Sequence, residues 1–90
     1  MTTETNKDTS AIREGFIEFI IANYLFGDKN KLPSDGESLI DLGIVDSTGI
    51  LELIEFTEHT YGVTISDTET IPENLGSIAN LVRFVHGKKK

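Results

Sequence analysis

Ile12, Phe16, Phe19, Ile20 and Tyr24 recur at spacings of four, three, one and four, which gathers them on one face of an α-helix. The stripe predicts a helix from about Thr9 to Phe26, with Asp8, Thr9 or Ser10 as N-cap and Gly27 suited to the left-handed turn that ends it. Ile50, Leu51, Leu53, Ile54, Thr57 and Tyr61 make a second stripe. It predicts a helix from Ser47 or Thr48 to Thr60 or Tyr61, closed by Gly62. A third, Ile78, Leu81, Val82 and Val85, follows Ser77 as cap and stops before Gly87. Short helices with stripes this broad are stable only when packed on one another. The expected fold is all-α: a small antiparallel bundle of three main helices and one short helix, with a long loop between the first two main helices.

That loop, residues 28–46, contains Pro33, Gly36 and Gly43 but also the apolar residues Leu39, Leu42 and Val45, which should pin it to the core. A structureless connection of such length is unusual in a compact domain, so either a helical turn near Ser38 to Asp41 or a functional role is expected. Val63-Thr64-Ile65 is β-prone but has no partner run, and a lone strand leaves its backbone unpaired. An extended connector with Val63 and Ile65 turned inward is the expectation. Pro72 breaks the segment 66–76, leaving room for a short helix around Asp67 to Thr70 or Pro72 to Leu75.

Ninety residues make one domain that buries roughly 60 to 65% of its unfolded surface, too little to enclose a deep catalytic cleft. The chain is therefore not expected to be an enzyme. Fifteen acidic residues oppose eight basic ones, for a formal charge of −7. Lys88, Lys89 and Lys90 supply three of the positives, so the body is more acidic still. Nucleic acid is a poor partner for such a surface and a basic protein a better one. The lack of cysteine removes disulfides, thiolate metal sites and a cysteine nucleophile, so any thiol chemistry must come on a cofactor. The N-terminus lacks the basic flank and apolar stretch of a secretory signal, and no apolar run approaches a membrane span. A cytoplasmic monomer is expected, with residues 1–8 a flexible leader, 9–87 the folded domain and 88–90 a basic tail.

Asp46-Ser47 lies where the polar loop turns into the second helix. Both residue types are good caps, which is the plain reading of the pair. The alternative is a serine that is modified. A helix start offers unpaired amides and the positive end of the macrodipole, which favour a phosphate ester on a hydroxyl there. Asp46 supplies a carboxylate able to assist a divalent metal while a phosphoryl group is delivered. Glu52, Glu55 and Glu58 repeat every third residue along the same helix, either as a solvated face or as an acidic docking ridge.

Catalytic readings of these residues fail on chemistry. Asp46-Ser47-Thr48-Gly49 has one residue more than the aspartic-protease triplet and no second copy to complete a carboxylate pair. A hydrolase nucleophile elbow needs glycine where Val45 stands. His59 and His86 fall late in their helices, where histidine commonly faces the C-terminal dipole. A calcium loop starting at Asp28 would meet Pro33 and Leu39 where glycine and glutamate are required.

From about Ile12 to Val85 the chain resembles acyl carrier proteins and the related peptidyl carrier domains. Their modification motif is Gly, two residues, then Asp-Ser and an apolar residue, and Gly43-Ile44-Val45-Asp46-Ser47-Thr48 stands in its place. Leu39 and Leu42, Glu52-Leu53-Ile54-Glu55, Tyr61-Gly62-Val63 and the segment Ile78 to Val85 extend the match. The resemblance implies 4'-phosphopantetheine, taken from coenzyme A by a Mg-dependent phosphopantetheinyl transferase and attached to Ser47, with Asp46 assisting. It implies an acyl or aminoacyl thioester cargo, loaded by an activating ligase and passed to downstream acyl-transfer or modifying enzymes. Glu52, Glu55, Glu58 and Thr48 would face those partners. Thr48 departs from the usual apolar residue, and Gly49 stands where many fatty-acid carriers have an acidic one. Gly49 costs up to about 1 kcal/mol of helix propensity, so it either admits a partner closely or is simply tolerated. Both departures look more like a free-standing carrier of a specialised biosynthetic pathway. The contrasting reading is an unmodified helical module that docks a basic partner through the acidic face of the second helix.

Overall fold

A computed structural model describes residues 2–88, with side chains from residue 9 onward. Among the described residues the elements are α1 (Thr2–Tyr24), α2 (Ser47–Tyr61), α3 (Pro72–Leu75) and α4 (Ile78–Lys88), with 3₁₀ turns at Lys29–Lys31 and Asp67–Glu69. No strand forms among them, and the molecule is the expected small all-helical bundle. No helix among these residues is long and apolar enough to cross a membrane.

Helix α1 starts upstream of the expected Thr9, running as helix from Thr2 through the segment read as a leader. That stretch has no apolar stripe, but it has no Gly or Pro to stop a helix either. At the other end α1 closes at Tyr24, short of the expected Phe26. The buried Leu25 is followed by Phe26 and Gly27, both with positive φ (53° and 84°), and the Gly27 amide donates to the Ile21 carbonyl at 2.9 Å. In α4, Gly87 lies inside the helix, not after its end. Lys88 is the last described residue of the helix, with its ammonium 2.7 Å from Glu69 and 5.5 Å from the Phe84 ring centre. Lys88 therefore belongs to the folded body, while Lys89 and Lys90 lie outside the described residues.

Ile12, Phe16 and Ile20 of α1, Leu53 of α2, Leu75 of α3 and Ile78, Leu81 and Val85 of α4 form one buried core with Leu25, Leu39 and Val45. The backbones approach most extensively between α1 and α4, then between α3 and α4. Between α1 and α2 aromatic rings fill the space. Phe19 stacks on Phe56 at 4.2 Å, and Phe16 lies 5.7 Å from Phe56 and 5.5 Å from Tyr61. Such pairs add roughly 0.5–1.5 kcal/mol each beyond the area they bury.

Three terminal signals fall where the sequence places them. Ser77 Oγ accepts from the Asn80 amide at 3.1 Å, Gly62 closes α2 at φ 68°, and Ile65 is buried beyond it. Both short turns between Ser66 and Gly76 form, Asp67–Glu69 as 3₁₀ and Pro72–Leu75 as α. Two of the apolar residues expected to face the core are turned out. Leu42 is 49% and Leu51 62% exposed. Leu51 drops out of the stripe because α2 seats Leu53, Thr57 and Gly49 against the core, which rotates position 51 toward solvent.

The long loop is tied down rather than loose. Arg13 grips Asp35 in two parallel bonds of 2.7 and 2.9 Å, and the guanidinium holds that carboxyl below its ordinary pKa. The Ala79 amide donates to the Asp35 carbonyl at 2.9 Å, joining loop and α4.

Candidate functional site

Leu39 organises the approach to Ser47. Its side chain is fully buried, its amide donates to the Gly76 carbonyl at 2.8 Å, and its own carbonyl accepts from Ile44 at 3.0 Å and Val45 at 3.2 Å. One apolar anchor thus fastens the loop to the end of α3 and closes the turn that delivers Asp46 and Ser47. Within it the Leu42 amide reaches the Ser38 carbonyl at 3.1 Å, the helical turn expected near Ser38 to Asp41. Gly43 completes the reversal at φ 75° with open space around its Cα. Gly43→Ala should therefore lose about 1–2 kcal/mol through backbone strain alone, readable as a lower urea midpoint with an unchanged m-value.

Asp46 is the N-cap of α2. Its extended backbone (φ −106°, ψ −169°) presents Oδ1 to the Gly49 amide at 2.8 Å, and its carbonyl accepts from Ile50 at 2.9 Å. Ser47 is consequently the first helical residue, and the capping role falls on its neighbour. Ser47 and Thr48 are both exposed, and no described residue bonds the Ser47 hydroxyl. The amides of Ser47 and Thr48 have no intrahelical acceptor, and the first turn of α2 carries no acidic residue. The local field favours a negatively charged substituent on that oxygen. An exposed, unpartnered hydroxyl beside free amides fits a phosphodiester.

Gly49 is buried. A Cβ there would lie 2.9 Å from Val45 Cγ1 and 3.4 Å from Tyr24 Cε1, so the close approach this glycine permits is made by its own chain. Tyr24 uses that space. Its hydroxyl lies 3.1 Å from the Gly49 carbonyl and 2.9 Å from Glu52 Oε1. Burial first, and then the bond to Glu52, raise the phenol well above its ordinary pKa. In the sequence Tyr24 passes for the last member of an apolar stripe. The available signal was its hydroxyl, which needs a partner when the ring is packed.

The three glutamates of the ridge differ in what they can do. Glu52 and Glu55 are exposed, whereas Glu58 is half-buried and its Oε2 accepts the Ile65 amide at 2.8 Å. All three rim an open groove between α1 and α2 whose floor is the Phe19–Phe56 stack, with Asn23 and His59 completing it. On the other side of α2, Ile40, Ile50, Thr70, Ile71, Pro72 and Leu75 line an apolar slot of about 70 Å³. That is far below the roughly 300 Å³ at which pockets begin to enclose a ligand. Among the described residues no group of three or more His, Asp or Glu is placed to hold a metal.

A helical bundle that holds an unpartnered serine hydroxyl out at the positive end of a helix, flanked by a carboxylate ridge, has the build of a carrier domain. The chain is 33% identical over 73 residues to the probable acyl carrier protein PigG of Serratia sp., an alignment covering 81% of this chain and 83% of that protein. No protein-family model matches. The chain belongs to the acyl carrier protein family.

Proposed function

We propose that this carrier bears 4'-phosphopantetheine on Ser47 and moves an acyl or aminoacyl group between enzymes of a specialised biosynthetic pathway in the cytoplasm. The observation that carries the reading is the Ser47 hydroxyl: exposed, unbonded by any described residue, and first in α2 beside free amides. When bound, the group supplies a terminal thiol that holds cargo as a thioester. Ser47 Oγ is the point of attachment through a phosphodiester. The amides of Ser47 and Thr48 and the macrodipole of α2 stabilise its charge. Asp46 fixes the helix start through Oδ1 and supports the metal-assisted transfer catalysed by the phosphopantetheinyl transferase.

The chain itself performs no chemistry, acting as a monomer that presents one site to several partners. Tethering raises the local concentration of cargo at each active site without tight binding by the carrier. Glu52 and Glu55, with Thr48 nearer the serine, meet Arg and Lys on the transferase, the activating ligase and the downstream enzymes. These are weak, salt-sensitive encounters suited to rapid handover. Glu58 contributes mainly its charge, since it is half-buried against the Ile65 amide.

Incubation of the purified chain with coenzyme A, Mg²⁺ and a competent transferase should add one phosphopantetheine group. Intact-mass and fragment spectra should locate it on Ser47. A mass that stays constant under conditions that modify a control carrier overturns the reading and leaves the unmodified docking module in its place.

A further inference from the structure

We propose that Tyr24 is a positioning residue for encounters at Ser47, its hydroxyl holding the Glu52 carboxylate and the first turn of α2 in the attitude that a cationic partner meets. The inference rests on the reading of Ser47 as the attachment point.

Tyr24 is the last residue of α1, yet its hydroxyl reaches two groups on α2, the Gly49 carbonyl at 3.1 Å and Glu52 Oε1 at 2.9 Å. Those residues follow Ser47 by two and five positions, so one hydroxyl touches the turn that carries the serine and the first carboxylate of the ridge. The ring is itself held in place. It meets Phe19 edge-on at 5.8 Å, and Phe19 stacks on Phe56 of α2. The missing side chain of Gly49 lets the ring sit directly against the α2 backbone.

The consequence is selective among the glutamates. An unrestrained surface glutamate loses rotamer freedom on meeting a partner, whereas one already held in a single arrangement loses less. Glu52 is held through Oε1, and no described residue bonds Oε2, which is left for an incoming guanidinium or ammonium. Glu55 has no such restraint among the described residues, and Glu58, though held by the Ile65 amide, is half-buried where Glu52 is exposed. Glu52 is thus the preorganised contact of the ridge, and Tyr24 is what preorganises it.

Steady-state kinetics with the apo-carrier as varied substrate of a phosphopantetheinyl transferase test this, using wild type, Tyr24→Phe, Glu52→Gln and the double variant. Tyr24→Phe should raise KM for the carrier about three- to tenfold, the scale set by one ordered side chain, with kcat unchanged. The double variant should be no worse than Glu52→Gln alone, and the wild-type advantage over Tyr24→Phe should shrink as salt is added. A purely structural tyrosine would instead give a loss that persists undiminished in the Glu52→Gln background and does not respond to salt. An unchanged KM for Tyr24→Phe, or additive losses in the double variant, overturns the proposal while leaving Ser47 as attachment point intact. Should Tyr24→Phe fail to fold, an unchanged KM for Glu52→Gln overturns it equally. A wild-type chain that accepts no group defeats the carrier reading itself, and this proposal with it.

Discussion

Replacing Ser47 by alanine should abolish transferase-dependent modification while leaving unfolding stability within about 0.5 kcal/mol of wild type, the range of surface changes that touch no buried contact. Both halves of this expectation come from the division of labour at the start of α2. The cap bond to Gly49 is made by Asp46, at 2.8 Å, so the helix keeps its N-terminal closure when the Ser47 hydroxyl goes. Ser47 is exposed and bonded by no described residue, so no buried partner is orphaned. The modification, by contrast, is expected to find no equivalent nucleophile, because Thr48 offers only a more hindered secondary hydroxyl. Thr48 is one residue on, rotated by about 100° around the helix. Intact-mass spectra after incubation with coenzyme A and the transferase, read beside urea unfolding curves, check both halves. A substantial stability loss would mean that the hydroxyl is structural, and residual modification would place the attachment point on another residue.

Phe16→Ala should have the largest effect on stability, about 3–5 kcal/mol, as expected for truncating a fully buried phenylalanine. Phe16 has no exposed surface and sits between the rings of Phe56 and Tyr61, so its removal opens a ring-sized void where α1 and α2 meet. Those neighbours cannot close it easily. Phe56 is committed to the stack with Phe19, and Tyr61 is anchored by its hydroxyl to the Ile12 carbonyl at 3.1 Å. The loss is a large share of the roughly 5–15 kcal/mol that holds a typical domain together. Equilibrium unfolding in urea measures it directly. A loss below about 1 kcal/mol would show that the two helices collapse onto each other without the ring.

The same aromatic seam shows how the candidate site is built. The Ser47 end of α2 is held from α1 by Tyr24, from the loop by Val45 and, through that loop, from the end of α3 by the Leu39 amide on the Gly76 carbonyl. The ties from Tyr24 and Leu39 join residues far apart in the sequence, while Val45 packs from just upstream. They explain why a glycine, unfavourable by helix propensity, occupies the first turn of α2: a methyl at position 49 would collide with Val45.

Local periodicity was enough to reveal the three main helices, the cap at Ser77 and the closure at Gly62, because each depends on residues a few positions apart. The spacing of Ile12, Phe16 and Ile20 marks a buried face whatever that face packs against. Tertiary structure alone decided which way each stripe was rotated and what each polar side chain met. Leu42 and Leu51 were turned out to solvent, Asp46 rather than Ser47 took the cap, Glu58 was drawn onto Ile65, and Tyr24 was aimed at Glu52. Spacing along a chain encodes which residues share a helix face, but the partner across an interface is set by how the helices and loop pack in three dimensions.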